Sequence, residues 1–259
     1  MDGSTVLRRT PKPRTRSTAA LVAALALTLG GCSMATTAPA TARDEAAADA
    51  KGKTGPVDCR VAKCIALTFD AGPGEDTPHL LDVLKEKKVH ATFFLLGKNH
   101  VLKHPDTVRR ISDEGHEVAN HTWSHEILTD KKPDEIRAEL EKTQDAIAKI
   151  TGKKPRLMRP PQGRTDDTVS EISKELGLSQ ILWSATAKDY STTDSALIEK
   201  RILDQADRDG IILLHDIYKG SVPAVPGIID ALRERGYTFV TVPELMAPAE
   251  PEPGTIYRP

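Results

Sequence analysis

Two short runs carry the residue types from which hydrolytic chemistry is built. Thr68-Phe69-Asp70-Ala71-Gly72-Pro73 ends an apolar run with a carboxylate and then breaks the chain with Gly and Pro. His121-Thr122-Trp123-Ser124-His125 sets two imidazoles four residues apart, one helical turn if that segment is helical, so that both reach one cation. A His-x-x-x-His pair suits Zn²⁺ or a similar metal, and a strand-end Asp beside it has the chemistry to act on metal-activated water. Each run alone also has a plainer reading. The His pair without a third ligand reads equally as a surface feature, and the Asp as a turn cap.

Three further segments change that balance: Arg159-Pro160-Pro161-Gln162-Gly163, Trp183 through Asp189-Tyr190, and Ile211-Ile212-Leu213-Leu214-His215-Asp216. The five segments, in this order, resemble those of the polysaccharide deacetylases (carbohydrate esterase family four, the NodB-type domain), over about residues 64 to 246. The resemblance implies a metal-dependent hydrolase that removes N-acetyl groups from amino sugars. It casts Asp70 as general base, His121 and His125 as metal ligands, and Arg159 as the partner that holds Asp70 and favours its ionised form. His215 becomes the general acid and Asp189 its carboxylate partner. Pro161, Gln162, Tyr190, Leu213 and Leu214 are expected to face substrate, the leucines lining a methyl-sized acetate pocket. Trp123 reads as a packing residue, and Asp216 as a strand-end hydrogen-bond partner.

Two departures stand out. The family pattern has a second Asp directly after the base as a third metal ligand; here that residue is Ala71, which weakens the expected site for Zn²⁺, or alternatively Co²⁺ or Mn²⁺. Two histidines with water, or a substitute from Glu75 or Asp76, are the ways left to hold a metal; otherwise the site is metal-free. Gln162 replaces a frequent aromatic, but a backbone N–H for the oxyanion survives that change. The substrate reads as peptidoglycan or chitin-type oligomers, with acetyl-xylan ester hydrolysis, or sugar binding without turnover, as alternatives.

Stepping outward to the elements that must position these groups, apolar β-type runs alternate with helical patterns from Ile65 onward. Strands are expected at Ile65–Phe69, Ala91–Leu96, Glu117–Ala119, Arg156–Arg159, Gln180–Ser184, Ile211–Leu214 and Thr238–Val242. Helices between them start near Thr77, Pro105, Pro133, Asp166, Asp194 and Pro226. Such alternation implies a parallel sheet covered by helices. The family resemblance implies a distorted, incomplete (β/α) barrel of about seven strands; a doubly wound open sheet is the runner-up. Asp70, His121, Arg159, Asp189 and His215 all fall at or just beyond strand C-terminal ends, where parallel barrels assemble active sites.

The ends of the chain read differently. Arg8, Arg9, Lys12, Arg14 and Arg16 precede an apolar stretch from Ala19 to Leu29, a secretory signal too short for a comfortable membrane span. Leu29-Gly30-Gly31-Cys32 resembles a bacterial lipoprotein cleavage box, which makes residues 1–31 a leader and Cys32 a lipid-bearing anchor on the cell surface; an ordinary signal for secretion is the alternative. Those five basic groups and one acid, Asp2, carry +4, so of the formal total of −1 the remainder carries −5. No basic patch suggests nucleic acid, and a neutral glycan is the expected partner of a monomer. In an oxidising compartment Cys59 and Cys64 are expected to form a disulfide. Residues 32–56 read as a flexible Ala/Thr-rich tether, residues 57–247 as the catalytic domain, and residues 248–259 as an extended Pro-rich tail.

Overall fold

Among the described residues, nine parallel strands form one curled sheet around the residues singled out above. They are β1 (Lys63–Asp70), β2 (Thr92–Leu95), β3 (Glu117–Asn120), β4 (Leu157–Met158), β5 (Ser179–Ile181), β6 (Ala185–Thr186), β7 (Gly210–His215), β8 (Tyr237–Val240) and β9 (Ile256–Tyr257). The order is β6-β7-β1-β2-β3-β4-β5-β9, and β8 pairs with β1. On β1, Lys63–Ala66 pairs with β8 and Thr68–Asp70 with β2, while β7 runs along Ile65–Asp70. One strand thus serves three partners, which makes the expected barrel distorted and incomplete. The computed structural model describes residues 1–3, 35–49 and 56–259, of which all beyond Ser33 belong to one unit. Residues 4–34, which hold most of the expected leader and Cys32, lie outside the described residues.

Helices α1 (Pro39–Asp49), α2 (Thr77–Lys87), α3 (Pro105–Asp113), α4 (Pro133–Thr151), α5 (Asp167–Glu175), α6 (Ser195–Gln205), α7 (Ser221–Glu234) and α8 (Val242–Met246) complete the unit. Capping follows the sequence: Asp166 accepts from the Val169 N–H and Asp194 from the Leu197 N–H, and Gly152 ends α4 in the left-handed region. Helix α7 begins five residues before the expected Pro226 and runs through that proline, because Val222, Val225, Ile228, Ile229 and Leu232 give it one continuous buried face.

The period-two alternation of strand side chains decides what points where. On β1, Ile65, Leu67 and Phe69 face the helices, while Cys64 and Ala66 belong to the cluster inside the curl. By the same alternation Thr68 and Asp70 continue the inner face toward the strand end. On β7, Ile212 and Leu214 join the helix-facing core, while Ile211 lies inside the curl. Leu213 and His215 follow Ile211 up the inner face.

Three expectations are corrected. The segment read as a flexible tether contains α1, which packs against α8 and buries Arg43, whose Nη1 donates to Asp209 Oδ1 at 2.7 Å. A run without strong amphipathic periodicity still becomes ordered when one buried ion pair and a neighbouring apolar surface hold it. Residues 50–55 of that stretch lie outside the described residues. The Pro-rich tail is not loosely draped either: β9 adds to the sheet beside β5, and Thr37 bridges to Tyr257. The expected strand Gln180–Ser184 ends at Ile181, and a separate strand, β6, follows it. The Cys59–Cys64 disulfide is present and buried, just before β1.

Candidate active site

Asp70 ends β1 on the inner face with 2% of its surface exposed, and its Oδ1 accepts from Arg159 Nη1 at 2.6 Å. Arg159 follows β4 and is fully buried. Its Nη1 also donates to Thr68 Oγ1 at 2.8 Å, its Nε donates to the Ile181 carbonyl at 2.9 Å, and its guanidinium lies 4.0 Å from the centre of the Phe94 ring. Burial lowers the proton affinity of this arginine, and the adjoining Asp70 charge works against that. The pair satisfies itself inside the curl, as a buried charge must.

The histidine run is a loop, not a helix. It leaves β3 after Asn120, and Thr122 and His125 both take left-handed backbone angles (φ 73° and 64°). Asn120 Oδ1 accepts the Thr122 N–H, and Glu139 of α4 accepts the N–H groups of Trp123 and Ser124, so side chains do what helical hydrogen bonds would have done. The outcome is still convergence. The two imidazole centroids are 4.9 Å apart, and His121 Nε2 lies 3.9 Å from Asp70 Oδ2. His121 Nδ1 faces the Arg159 carbonyl at 2.8 Å. A carbonyl only accepts, so Nδ1 carries the proton and Nε2 keeps its lone pair for the cleft. Burial pushes the His121 pKa down to about 4 and lowers that of His125, so both rings are neutral ligands at physiological pH. Trp123 packs against Gly97, where an added Cβ would overlap the indole.

Beside Asp70, on the neighbouring strand, His215 ends β7, and Asp189, 1% exposed, sits behind it. Asp189 Oδ1 accepts from His215 Nδ1 at 2.8 Å. Burial opposes the charged ring, but the Asp189 hydrogen bond and charge outweigh it, and the His215 pKa is raised. Asp189 is lowered: burial raises it, and the bonds from His215 and Ser221 prevail.

These groups open onto a cleft of about 590 Å³ lined by Asp70, His121, His125, Gln162, Leu213 and His215 among others. An acid–base pair of groups and two neutral imidazoles thus line one cavity. A family model described as Polysaccharide deacetylase matches residues 58–181. A peptidoglycan-N-acetylglucosamine deacetylase of Bacillus cereus is 37% identical over 186 residues, covering 70% of this chain and 67% of that protein. The chain belongs to the polysaccharide deacetylase family. Peptidoglycan-N-acetylmuramic acid deacetylase PdaC of Bacillus subtilis is 42% identical over 184 residues, 71% of this chain; the chain spans only 38% of that relative's length. Among solved structures, T48 deacetylase with substrate superposes with a TM-score of 0.74 at 40% identity, covering 78% of this chain and 99% of that one.

Within this deacetylase-family chain the wall residues differ in part from those expected. Gln162 lines the cleft with a left-handed backbone (φ 58°), but Pro161 is buried and its neighbour Pro160 takes the wall. Leu213 lines the cleft and Leu214 does not, because consecutive strand residues face opposite sides and Leu214 belongs to the helix layer. Tyr190 stands at the rim, 60% exposed. Trp183, Thr186, Lys188 and Tyr218 also line the cleft. Of these, Tyr218 had a legible signal, three residues beyond His215 on the same strand-end turn.

The donor set fits a divalent ion held through two imidazoles and falls one carboxylate short of a three-ligand catalytic site. Ala71 is 5% exposed and offers a methyl group; Glu75 and Asp76 line a separate hollow with Asn99, His100 and Lys103. Among the described residues no group of three or more His, Cys, Asp and Glu is arranged to hold a metal.

Proposed function

We propose that this chain is a peptidoglycan deacetylase that hydrolyses the N-acetyl group of an amino sugar. The observation that carries the reading is the placing of Asp70, beside two neutral imidazoles, next to the Asp189-held His215 at adjacent strand ends in one cleft. A carboxylate and a separately charged imidazole at adjacent strand ends match the needs of amide hydrolysis, where a proton leaves the attacking water and another must reach the departing nitrogen. Asp70 takes the proton of water as its oxygen adds to the acetyl carbonyl. The developing oxyanion lies toward the Gln162 backbone N–H. His215, protonated at Nε2 on the cleft side, gives that proton to nitrogen as the C–N bond breaks, which leaves acetate and the free amine. A divalent cation held by His121 and His125 would supply Lewis-acid stabilisation of the charge on the carbonyl oxygen. Leu213 walls the apolar side that an acetyl methyl needs.

The names of the relatives support peptidoglycan as the glycan. A lipoprotein leader with a lipid on Cys32 fits that substrate, since it holds the domain outside the cytoplasmic membrane as a monomer beside the wall. Ala71 favours a second reading, a sugar-binding domain with little turnover. Acetate release from peptidoglycan and from chito-oligomers, measured after loading with Zn²⁺, Co²⁺ or Mn²⁺, separates the two. Turnover that falls by about 10²–10⁴-fold in His215→Ala supports the enzyme. No release with any metal, with glycan binding intact, overturns it in favour of the binding domain.

A further inference from the structure

The cleft holds one cation that its own acids leave uncompensated. Asp70 is paired with Arg159, and Asp189 with His215. Lys188 lines the same cleft, exposed, and among the described residues its ammonium makes no ion pair. Only its backbone is engaged: the N–H donates to Thr186 Oγ1 at 3.3 Å, and the carbonyl accepts from Ser191 Oγ at 2.6 Å. In a domain whose formal balance is acidic, an unpaired ammonium at the mouth of the cleft is a local attractor for anions.

The loop that presents it is held from behind. Gln205 of α6 bonds both the N–H and the carbonyl of Thr186, and Arg201 Nη1 donates to the Ala187 carbonyl at 2.9 Å. The next residue, Asp189, is locked onto His215, so the Lys188 Cα is a fixed neighbour of the general acid. Its backbone is left-handed (φ 49°, ψ 46°), a conformation that Gly or Asn adopts at lower cost than lysine.

Muramic acid differs from glucosamine by a lactyl ether on C3, next to the carbon that bears the acetamido group. In a glycan strand free of stem peptides that lactyl group ends in a carboxylate, and an acetamido group held beside Asp70 and His215 brings it, one ring carbon away, toward the cleft that Lys188 lines. We infer that Lys188 binds that carboxylate, and so selects N-acetylmuramic acid over N-acetylglucosamine as the residue deacetylated. This rests on the deacetylase reading above and adds the sugar to it.

The test compares metal-loaded wild type, Lys188→Met and Lys188→Arg in calorimetric titrations. The ligands are a stem-free tetrasaccharide of alternating N-acetylglucosamine and N-acetylmuramic acid, and chitotetraose. Wild type is expected to bind the muramoyl ligand roughly tenfold more tightly, the worth of one charge-assisted hydrogen bond. Lys188→Met should erase that ratio, Lys188→Arg should keep it, and about 0.5 M salt should shrink it. A ratio equal in wild type and Lys188→Met, or an equal loss for both ligands, overturns the inference. Acetate release on the same samples judges the other reading separately. Turnover without a Lys188-dependent preference sinks only the inference, and a Lys188-dependent preference without turnover sinks only the enzyme.

Discussion

Asp189 grips His215 with both carboxylate oxygens. Oδ1 accepts from the ring Nδ1 at 2.8 Å, and Oδ2 accepts from the backbone N–H of the same histidine at 2.7 Å, with Ser221 Oγ on Oδ2 at 2.6 Å. One side chain therefore fixes the ring, its tautomer and the end of the strand that carries it. The Asp70–Arg159 pair does the equivalent work at the end of the neighbouring strand β1, so each of the two groups has one buried partner of opposite charge.

Replacing Asp189 with Asn keeps the shape and removes the charge that raises the His215 pKa. A raised pKa keeps the ring protonated to higher pH; without it the acid form is lost sooner. The alkaline limb of the kcat/KM profile should move to lower pH, and the rate at pH 8 should fall by about ten- to a hundredfold. An unmoved alkaline limb would show that another group supplies the proton.

Ala71 occupies a left-handed position (φ 65°) that Asp tolerates better than Ala. Ala71→Asp should leave the melting temperature unchanged and tighten Zn²⁺ binding by at least about tenfold in competition with a chelating dye. Equal affinity would mean that the methyl group is not what limits the site.

Arg159→Met would strand the buried Asp70 carboxylate without its partner. The expected loss is about 3–5 kcal/mol in urea unfolding. Arg159→Met combined with Asp70→Asn should be distinctly less unstable than Arg159→Met alone, because no unpaired charge remains. Additive losses would place the cost in packing instead.

Asp216 is fully buried beneath Gly72, where an added Cβ would overlap its carboxylate; Oδ2 accepts from Thr77 Oγ1 at 2.5 Å, and among the described residues Oδ1 has no partner. Burial raises its pKa from 3.8 to about 6. The folded state therefore keeps a proton that the unfolded chain releases, and stability falls as pH rises from about 4 to about 6 and stays lower above that. Asp216→Asn has no such penalty. Its melting temperature should exceed that of wild type above pH 6, by the equivalent of about 2–3 kcal/mol, and match it near pH 4. A gain independent of pH would refute the assignment.

The sequence by itself determined the chemistry-bearing residues, the alternation of strands and helices, the disulfide and the strand-end placement of Asp70, Arg159 and His215. These are local properties: a buried apolar run ends where a polar residue interrupts it, and caps and prolines mark helix starts. Only the tertiary structure decided which of two adjacent residues faces substrate. Leu213 and Leu214 are identical in type, and strand register alone sends one inward and the other to the helices. Pro160 and Pro161 likewise divide, in the turn after β4 rather than in a strand. Helix α1 and strand β9 were illegible for a related reason, since what orders them is distant: Asp209 for Arg43, and β5 for Ile256 and Tyr257. Lys188 looked like any solvated lysine until the loop that carries it was placed beside His215. Side-chain type is written in the chain, but the partner a charge lacks appears only when remote segments close around the same space.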